Sequence, residues 1–317
     1  MALPAGLTVP ARPPAPFPAD TATPTLSRRH EAGAPSARGL LLTLLGEFVL
    51  TGDETAWTSA VLATFGGLGI EEKTTRQALM RTAAAGWLDA EKLGRRTRWR
   101  LTVAARRMLT DGAARIYSFT GPDPDWDGRW LLISARIPES DRRARHVLRT
   151  RLSWAGFGSL GPALWVSPHP DREGEAIRVL REAGIADDAH VFVARRSGLG
   201  DEQTMVATAW DLTAIEDQYG QFIEEFGPEL PEPSHLEPSH PESSHPESGL
   251  PEPDDALGRQ IELVHAWRRF PALDPALPRE LLPARWSGLA AARLFGQRHQ
   301  QWSAAAGQQW RRLNDVG

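Results

Sequence analysis

Apolar residues along this chain are spaced in different ways, and each spacing predicts a different element. From Arg38 to Leu50 the run RGLLLTLLGEFVL is apolar nearly all round, which suits the buried central helix of a small helical domain, with a buried strand as the competing reading. Thr55 is placed to cap a second helix through Phe65, with Gly66, Gly67 and Gly69 as the turn behind it. From Glu71 the sequence EEKTTRQALMRTAAAGWL, wound at about 3.6 residues per turn, separates into two sides. Thr75, Leu79, Thr82, Ala83 and Gly86 form a small, apolar side; Lys73, Arg76, Gln77, Met80, Arg81 and Ala84 form a slim, basic one. Strand-like alternation follows at Trp87, Leu88 and Ala90 and again at Thr97, Trp99 and Leu101, with Gly94, Arg95 and Arg96 as a turn between them. Thr102 opens a further helix, TVAARRMLTDGAARIY, that closes a first domain over residues 36–120 and offers a dimer contact.

Beyond residue 120 the pattern changes to strands separated by helices. Trp130 to Ile137 alternates as a strand, Arg142 to Ala155 is helical, and Ala163 to Ser167 is a second strand. Glu173 to Ala183 is helical again and His190 to Arg195 is a third strand. With room for one unseen hairpin strand, this series fits a ferredoxin-like α+β domain over residues 121–200. Residues 201–317 read as helical: Met205 to Phe226, Leu257 to Phe270 and Leu289 to Leu313, with the proline-punctuated PALDPALPRELLPARWSG between the last two. An insert at 227–255 carries an imperfect pentad repeat of Pro, Glu, Ser and His without Lys or Arg, expected to be an extended, unstructured linker. Residues 1–35, rich in Pro and Ala, are expected to be a disordered tail.

Composition narrows the chemistry. The chain has 317 residues and no cysteine, which excludes disulfides, thiolate zinc sites and cysteine nucleophiles. No apolar run reaches bilayer length and the first 35 residues lack a signal-peptide core, so a cytoplasmic location is expected and no membrane partner. The formal charge is −4 overall, yet between Glu71 and Arg115 there are 11 Lys and Arg against 5 Asp and Glu, a local balance of +6. Positive charge is therefore segregated where phosphate neutralisation would need it. Gly66, Gly67 and Gly69 lack the preceding strand and the Gly-Lys-Ser/Thr ending of a phosphate loop.

A helix with a slim basic face fits the major groove of DNA, about 12 Å wide. Followed by a basic β-hairpin, it has the pattern of a winged helix-turn-helix. On that reading the fold is a multidomain α+β protein: a winged helix-turn-helix, a ferredoxin-like centre and an α-helical C-terminal domain. Arg76, Gln77 and Arg81 are the expected base readers, and Lys73, Thr74 and Thr75 the phosphate or helix-entry contacts. Arg95, Arg96 and Arg98 would reach phosphates or the minor groove through the wing. Trp267, Arg268 and Arg269 form an aromatic-cation set suited to a ligand with phosphates and an aryl group, with a packed Trp and surface arginines as the alternative.

The blocks RGLLLTLLGEFVL, TRQALMRTAAAGWL, GRRTRWRLT and RIYSF resemble the PaaX-type transcriptional regulators. So do WDGRWLLISARIPES with LRTRLSWAGFGSLGPALWVSPHP, and LVHAWRRFPALDPALPRELLP, in the family's order and over most of the chain. The resemblance implies a dimeric repressor of phenylacetate catabolism, released from its double-stranded operator by an aryl-acyl coenzyme A, phenylacetyl-CoA. It also implies that the middle domain is similar to the small ferredoxin-like nuclease of CRISPR adaptation, which raises a metal-dependent nuclease as the alternative function, beside a non-catalytic interaction scaffold. A nuclease needs carboxylates at the end of the first central strand, where the sequence has Ser134, Ala135, Arg136 and Ile137. Asp125, Asp127, Glu139 and Asp141 lie nearby but read as loop residues and caps, and His235, His240 and His245 in the repeat lack a fixed frame for metal. The expectation is no catalytic residue, no metal, no cofactor and no enzymatic activity, with the central domain serving oligomerisation or supporting an effector site.

Overall fold

The computed structural model describes residues 36–52, 55–119, 126–137, 141–227 and 256–315. The tail at 1–35, the body of the repeat with its three histidines, and Asp125 and Glu139 lie outside the described residues.

The apolar run forms a helix, α1 (Ala37–Leu44), started by the Ser36 hydroxyl, which accepts from the Gly39 N–H at 3.1 Å. It widens into a π-helical turn over Leu45–Val49 before ending. Thr55 does not cap a helix. Thr55–Trp57 is a short strand, β1, and α2 (Thr58–Gly67) begins only after it, because β1 is drawn into a sheet by β3. Gly66 and Gly67 belong to α2; Gly69, at φ 72°, makes the turn into α3 (Glu72–Ala84). β2 (Leu88–Leu93) and β3 (Arg96–Leu101) form an antiparallel hairpin, and the sheet order is β1-β3-β2. α4 (Val103–Ser118) follows, capped by Thr102.

The central unit runs β4 (Arg129–Ala135), α5 (Arg142–Trp154), β5 (Gly158–Gly161), β6 (Leu164–Ser167), α6 (Glu173–Glu182) and β7 (Ala189–Arg195). The strands are antiparallel in the order β5-β6-β4-β7. β5 is the strand for which the sequence left only a space: Gly-Ser-Leu-Gly is too short to show alternation. One sheet face packs Leu131, Ile133 and Trp165 against Leu148, Leu152, Val179 and Leu180 of α5 and α6. The other contributes Trp130 and Val166 to a core shared with the C-terminal helices.

Those helices are α7 (Glu202–Ala209), α8 (Leu212–Phe226), α9 (Ala256–Trp267), the short α10 (Phe270–Leu273) and the long α11 (Gly288–Asp315). The expected single helix from Met205 to Phe226 is two, since Asp211 turns its carboxylate back to accept from the Ala214 N–H at 3.1 Å and starts α8 afresh. α9 and α11 reach the other end of the chain. Leu257, Ile261, Ala306 and Trp310 sit in one apolar core with Leu41, Phe48, Val61, Leu79 and Trp99. The side chain of Asn314 completes β1 on the side where, among the described residues, no strand pairs: its Oδ1 accepts from the Trp57 N–H at 2.9 Å and its amide donates to the Thr55 carbonyl at 3.0 Å.

Candidate nucleic-acid interface

α3 is built to lie flat on a support. Thr75, Ala78, Leu79 and Thr82 are buried at spacings of three and four; the small Thr75, Ala78 and Thr82 let the helix approach α1 and α2 closely, and Leu79 fills the core. The Thr75 hydroxyl donates to the Glu71 carbonyl at 3.2 Å. Thr75 thus leaves the set of expected phosphate contacts: it lies on the inner side, fully buried, with its one donor already used. Gly86, at φ 78°, ends the helix; its N–H donates to the Ala83 carbonyl and that of Trp87 to the Thr82 carbonyl, a double closure that only a residue tolerant of the left-handed region completes cheaply. Trp87 is thereby turned into the core and β2 is launched.

The opposite face is exposed. Lys73, Thr74, Arg76, Gln77, Met80 and Arg81 point away from the core. Glu72, Lys73, Arg76, Gln77, Met80 and Arg81 line an open depression of about 700 Å³ along one helix, a contact surface and not an enclosed ligand cavity. Arg76 pairs with Glu72 at 2.7 Å, one turn away, but the two side chains are 54 % and 66 % exposed. Such a pair is worth about 0.3–0.5 kcal/mol and yields easily to a phosphate or a base edge.

The hairpin beside α3 turns tightly, Leu93 opposite Arg96, with Gly94 at φ 65°. Arg95 and Arg96 are exposed at its tip. Arg98 is not part of that tip. It stands directly across from Glu91, to which its Nη2 donates at 2.8 Å and its Nε at 3.2 Å, and its guanidinium lies 5.6 Å from the centre of the Trp57 ring. Arg98, expected at the sequence level to meet nucleic acid, is set by the cross-strand register to brace the hairpin through Glu91. The Arg98 hydrogen bonds hold the Glu91 carboxyl below its usual range despite the opposing effect of desolvation, with the charges of Arg98 and Arg100 adding to the pull. At the base of the hairpin, Trp99 Nε1 donates to the Thr58 hydroxyl at 2.9 Å, which itself donates to the Thr97 carbonyl at 3.0 Å.

Sequence reasoning missed the group that ties this unit to the rest of the protein. The π-turn of α1 points Glu47 inward, where its Oε1 accepts from His299 Nε2 at 2.7 Å and from Gln260 at 2.9 Å, and its Oε2 accepts from the Tyr117 hydroxyl. Four elements, α1, α4, α9 and α11, converge on one carboxylate. Burial alone would raise that carboxyl; the hydrogen bond and charge of His299, with the Tyr117 and Gln260 donors, hold it below its ordinary value of 4.5. Burial, then the Glu47 charge, drives the Tyr117 phenol well above its ordinary range. The signal was one acid inside an otherwise apolar run.

Trp267, Arg268 and Arg269 do not form one cluster. Consecutive helical side chains diverge by about 100°, and these three go separate ways. Trp267 is fully buried, stacked on Phe295 at 4.8 Å, with Nε1 donating to the Ile116 carbonyl at 3.3 Å, so it is a core residue and leaves the effector set. Arg268 runs toward the start of α1, beside Gly39, and burial pushes its guanidinium down to about 10. Arg269 lies over the Phe270 ring at 5.3 Å. Two of the acids weighed as metal ligands have local duties: Asp127 binds the Arg129 backbone and guanidinium, and Asp141 caps α5 through the Ala144 N–H at 2.8 Å. Among the described residues, no group of three or more His, Cys, Asp or Glu is placed to hold a metal, and no helix is long and apolar enough to cross a membrane.

Three family models match successive stretches of the chain: PaaX-like protein over residues 36–105, the PaaX protein central Cas2-like domain over 123–206, and the PaaX-like protein C-terminal domain over 210–312. The chain belongs to the PaaX family. It is 32% identical over 277 residues to the transcriptional repressor PaaX of Escherichia coli (strain K12), covering 86% of this chain and 82% of that one. Its fold is similar to that of the uncharacterized protein Rv0674 from Mycobacterium tuberculosis, with a TM-score of 0.55 and 21% identity, covering 88% of this chain and 99% of the other.

Proposed function

We propose that this protein is a DNA-binding transcriptional regulator, a dimeric repressor whose N-terminal unit works as a winged helix-turn-helix. The observation that carries this reading is the exposed face of α3, where Lys73, Thr74, Arg76, Gln77 and Arg81 project from a helix seated on buried Thr75, Ala78, Leu79 and Thr82. Arg76, Gln77 and Arg81 are assigned to base edges, Lys73 and Thr74 to phosphates near the helix entry, and Arg95 and Arg96 to the backbone or minor groove beside it. Kinship with a transcriptional repressor at 32% identity supports the same reading, and the central unit is assigned to the ferredoxin-like class on its strand order. The chain is assigned to the cytoplasm and to no catalytic role.

Release is assigned to an aryl-acyl coenzyme A such as phenylacetyl-CoA, on the family resemblance. Such a ligand works only if it prefers the conformer that misplaces the two reading helices; a tenfold loss of operator affinity needs about 1.4 kcal/mol of preference. The test is a mobility-shift assay on the DNA upstream of the protein's own gene, at low salt, with and without phenylacetyl-CoA. No shift at low salt removes the regulator reading, and a shift unchanged by the thioester removes the effector alone.

A further inference from the structure

The outward face of α3 carries one large side chain that neither the core nor the charge pattern accounts for. Its place follows from the winding of the helix, about 100° per residue, measured from the middle of the buried side at Thr75, Ala78, Leu79 and Thr82. Lys73, Gln77, Met80 and Ala84 then lie within about 30° of the direction straight away from the core, and Arg76 and Arg81 stand about 70° to either side of it. The two arginines are the flanks of the ridge. Its crest is Lys73 and Gln77, followed by Met80 and Ala84.

Met80 is 62% exposed, and Ala84 is exposed one turn further along. Every other side chain lining the open depression is polar: Glu72, Lys73, Arg76, Gln77 and Arg81. Met80 therefore buries little against its own chain, and it gains only when something apolar covers it. A lone exposed apolar residue is ordinary on a protein surface. This one stands at the crest of the face assigned to DNA, which supplies the partner: among the four base edges in the major groove, thymine alone presents an apolar group, its 5-methyl. Methionine is unbranched and flexible, and settles on such a group without a fixed register.

We propose that Met80 is a specificity-determining residue that reads thymine, its thioether packing on 5-methyl groups at the floor of the major groove, with Ala84 extending the apolar contact. The inference rests on the regulator reading and deepens it: each half of the operator carries thymine where Met80 lands, while Arg76, Gln77 and Arg81 keep the polar edges assigned to them. The contact involves no charge, so it sets sequence preference and leaves the salt dependence to the cations around it.

Uracil isolates the contact, because it keeps the O4 acceptor and the pairing of thymine and lacks only the methyl. The DNA upstream of the protein's own gene is prepared in two forms, one with thymine and one with deoxyuridine throughout, and the full chain is titrated against both by mobility shift at low salt. Wild type is expected to bind the uracil form about tenfold more weakly, which is about 1.4 kcal/mol. Met80→Ala is expected to bind the thymine form about tenfold more weakly than wild type does, and to distinguish the two forms by less than about threefold. Its slope of log affinity against log salt and its unfolding midpoint are expected to match those of wild type. Met80→Leu is expected to restore the preference for thymine, and Arg95→Ala, at the hairpin tip, to keep it. A wild type that binds both forms equally tightly overturns the proposal and leaves the regulator reading standing, as does a preference that survives intact in Met80→Ala. Absence of binding to either form at low salt overturns both.

Discussion

Glu47 and His299 are 252 residues apart in sequence and meet at 2.7 Å in the interior, the carboxylate accepting from the imidazole Nε2. Glu47 belongs to the helix against which α3 packs, and His299 to the long C-terminal helix. This contact, with Tyr117 and Gln260 as further donors, is a polar joint between the candidate reading unit and the helices behind it.

Removing the joint's acceptor leaves buried donors without partners. Glu47→Leu is expected to cost about 3 kcal/mol, read by urea unfolding. Because the folded Glu47 carboxyl lies below its ordinary 4.5, the stabilisation is present above that value and is lost as pH falls through the folded one. The difference between wild type and Glu47→Gln is therefore expected to be full at neutral pH and to shrink in acid. A difference that does not vary with pH would refute this account of the joint.

On α3, Arg76→Ala and Arg81→Ala are each expected to weaken operator binding about tenfold or more, about 1–3 kcal/mol, without lowering the unfolding midpoint. Arg95→Ala, at the hairpin tip, is expected to lower the slope of log affinity against log salt by about one. Thr75→Val is the internal control. It removes a hydroxyl bonded within the helix and is expected to leave the salt slope unchanged.

Trp267→Ala tests the reassignment of that residue to the core. Fully buried among Phe222, Phe270 and Phe295, it is expected to cost about 3–5 kcal/mol in chemical unfolding, while effector affinity per folded molecule stays the same. A selective loss of effector binding at unchanged stability would restore Trp267 to a ligand site.

A second pH effect is expected where the central unit meets the C-terminal loop. His169 Nε2 donates to the Ala276 carbonyl at 2.9 Å, and burial, with the charge of Arg172 adding, pushes its imidazole down to about 4 from an ordinary 6.5. The unfolded chain therefore takes up this proton first, so stability is full above 6.5 and falls as the pH drops toward 4. The loss is on the order of 3 kcal/mol. His169→Gln keeps a donor without the titration, and is expected to flatten stability across that interval in thermal scans.

The candidate interface was largely legible in the sequence because its signals are local. Small or apolar residues at Thr75, Leu79 and Thr82 mark a packed face within one helix, and alternation with a glycine turn marks a hairpin within fifteen residues. What escaped depends on partners far along the chain. Nothing near Glu47 announces His299, nothing near Trp57 announces Asn314, and Arg98 looks like its neighbours until the register sets it against Glu91. Trp267, Arg268 and Arg269 misled for a related reason: adjacency in sequence is divergence on a helix.

The placing of Trp310 and Asn314 against β1 and Phe48 has a consequence for the birth of the protein. A chain leaving the ribosome amino end first completes its hairpin at Leu101, then waits for the last helix before Phe48 and the edge of β1 are covered. At roughly 5–20 residues per second that wait lasts on the order of 10–40 s. Through that interval the segment proposed to meet the operator stands half-roofed, and a ribosome that stops short of Trp310 yields a chain that never closes it.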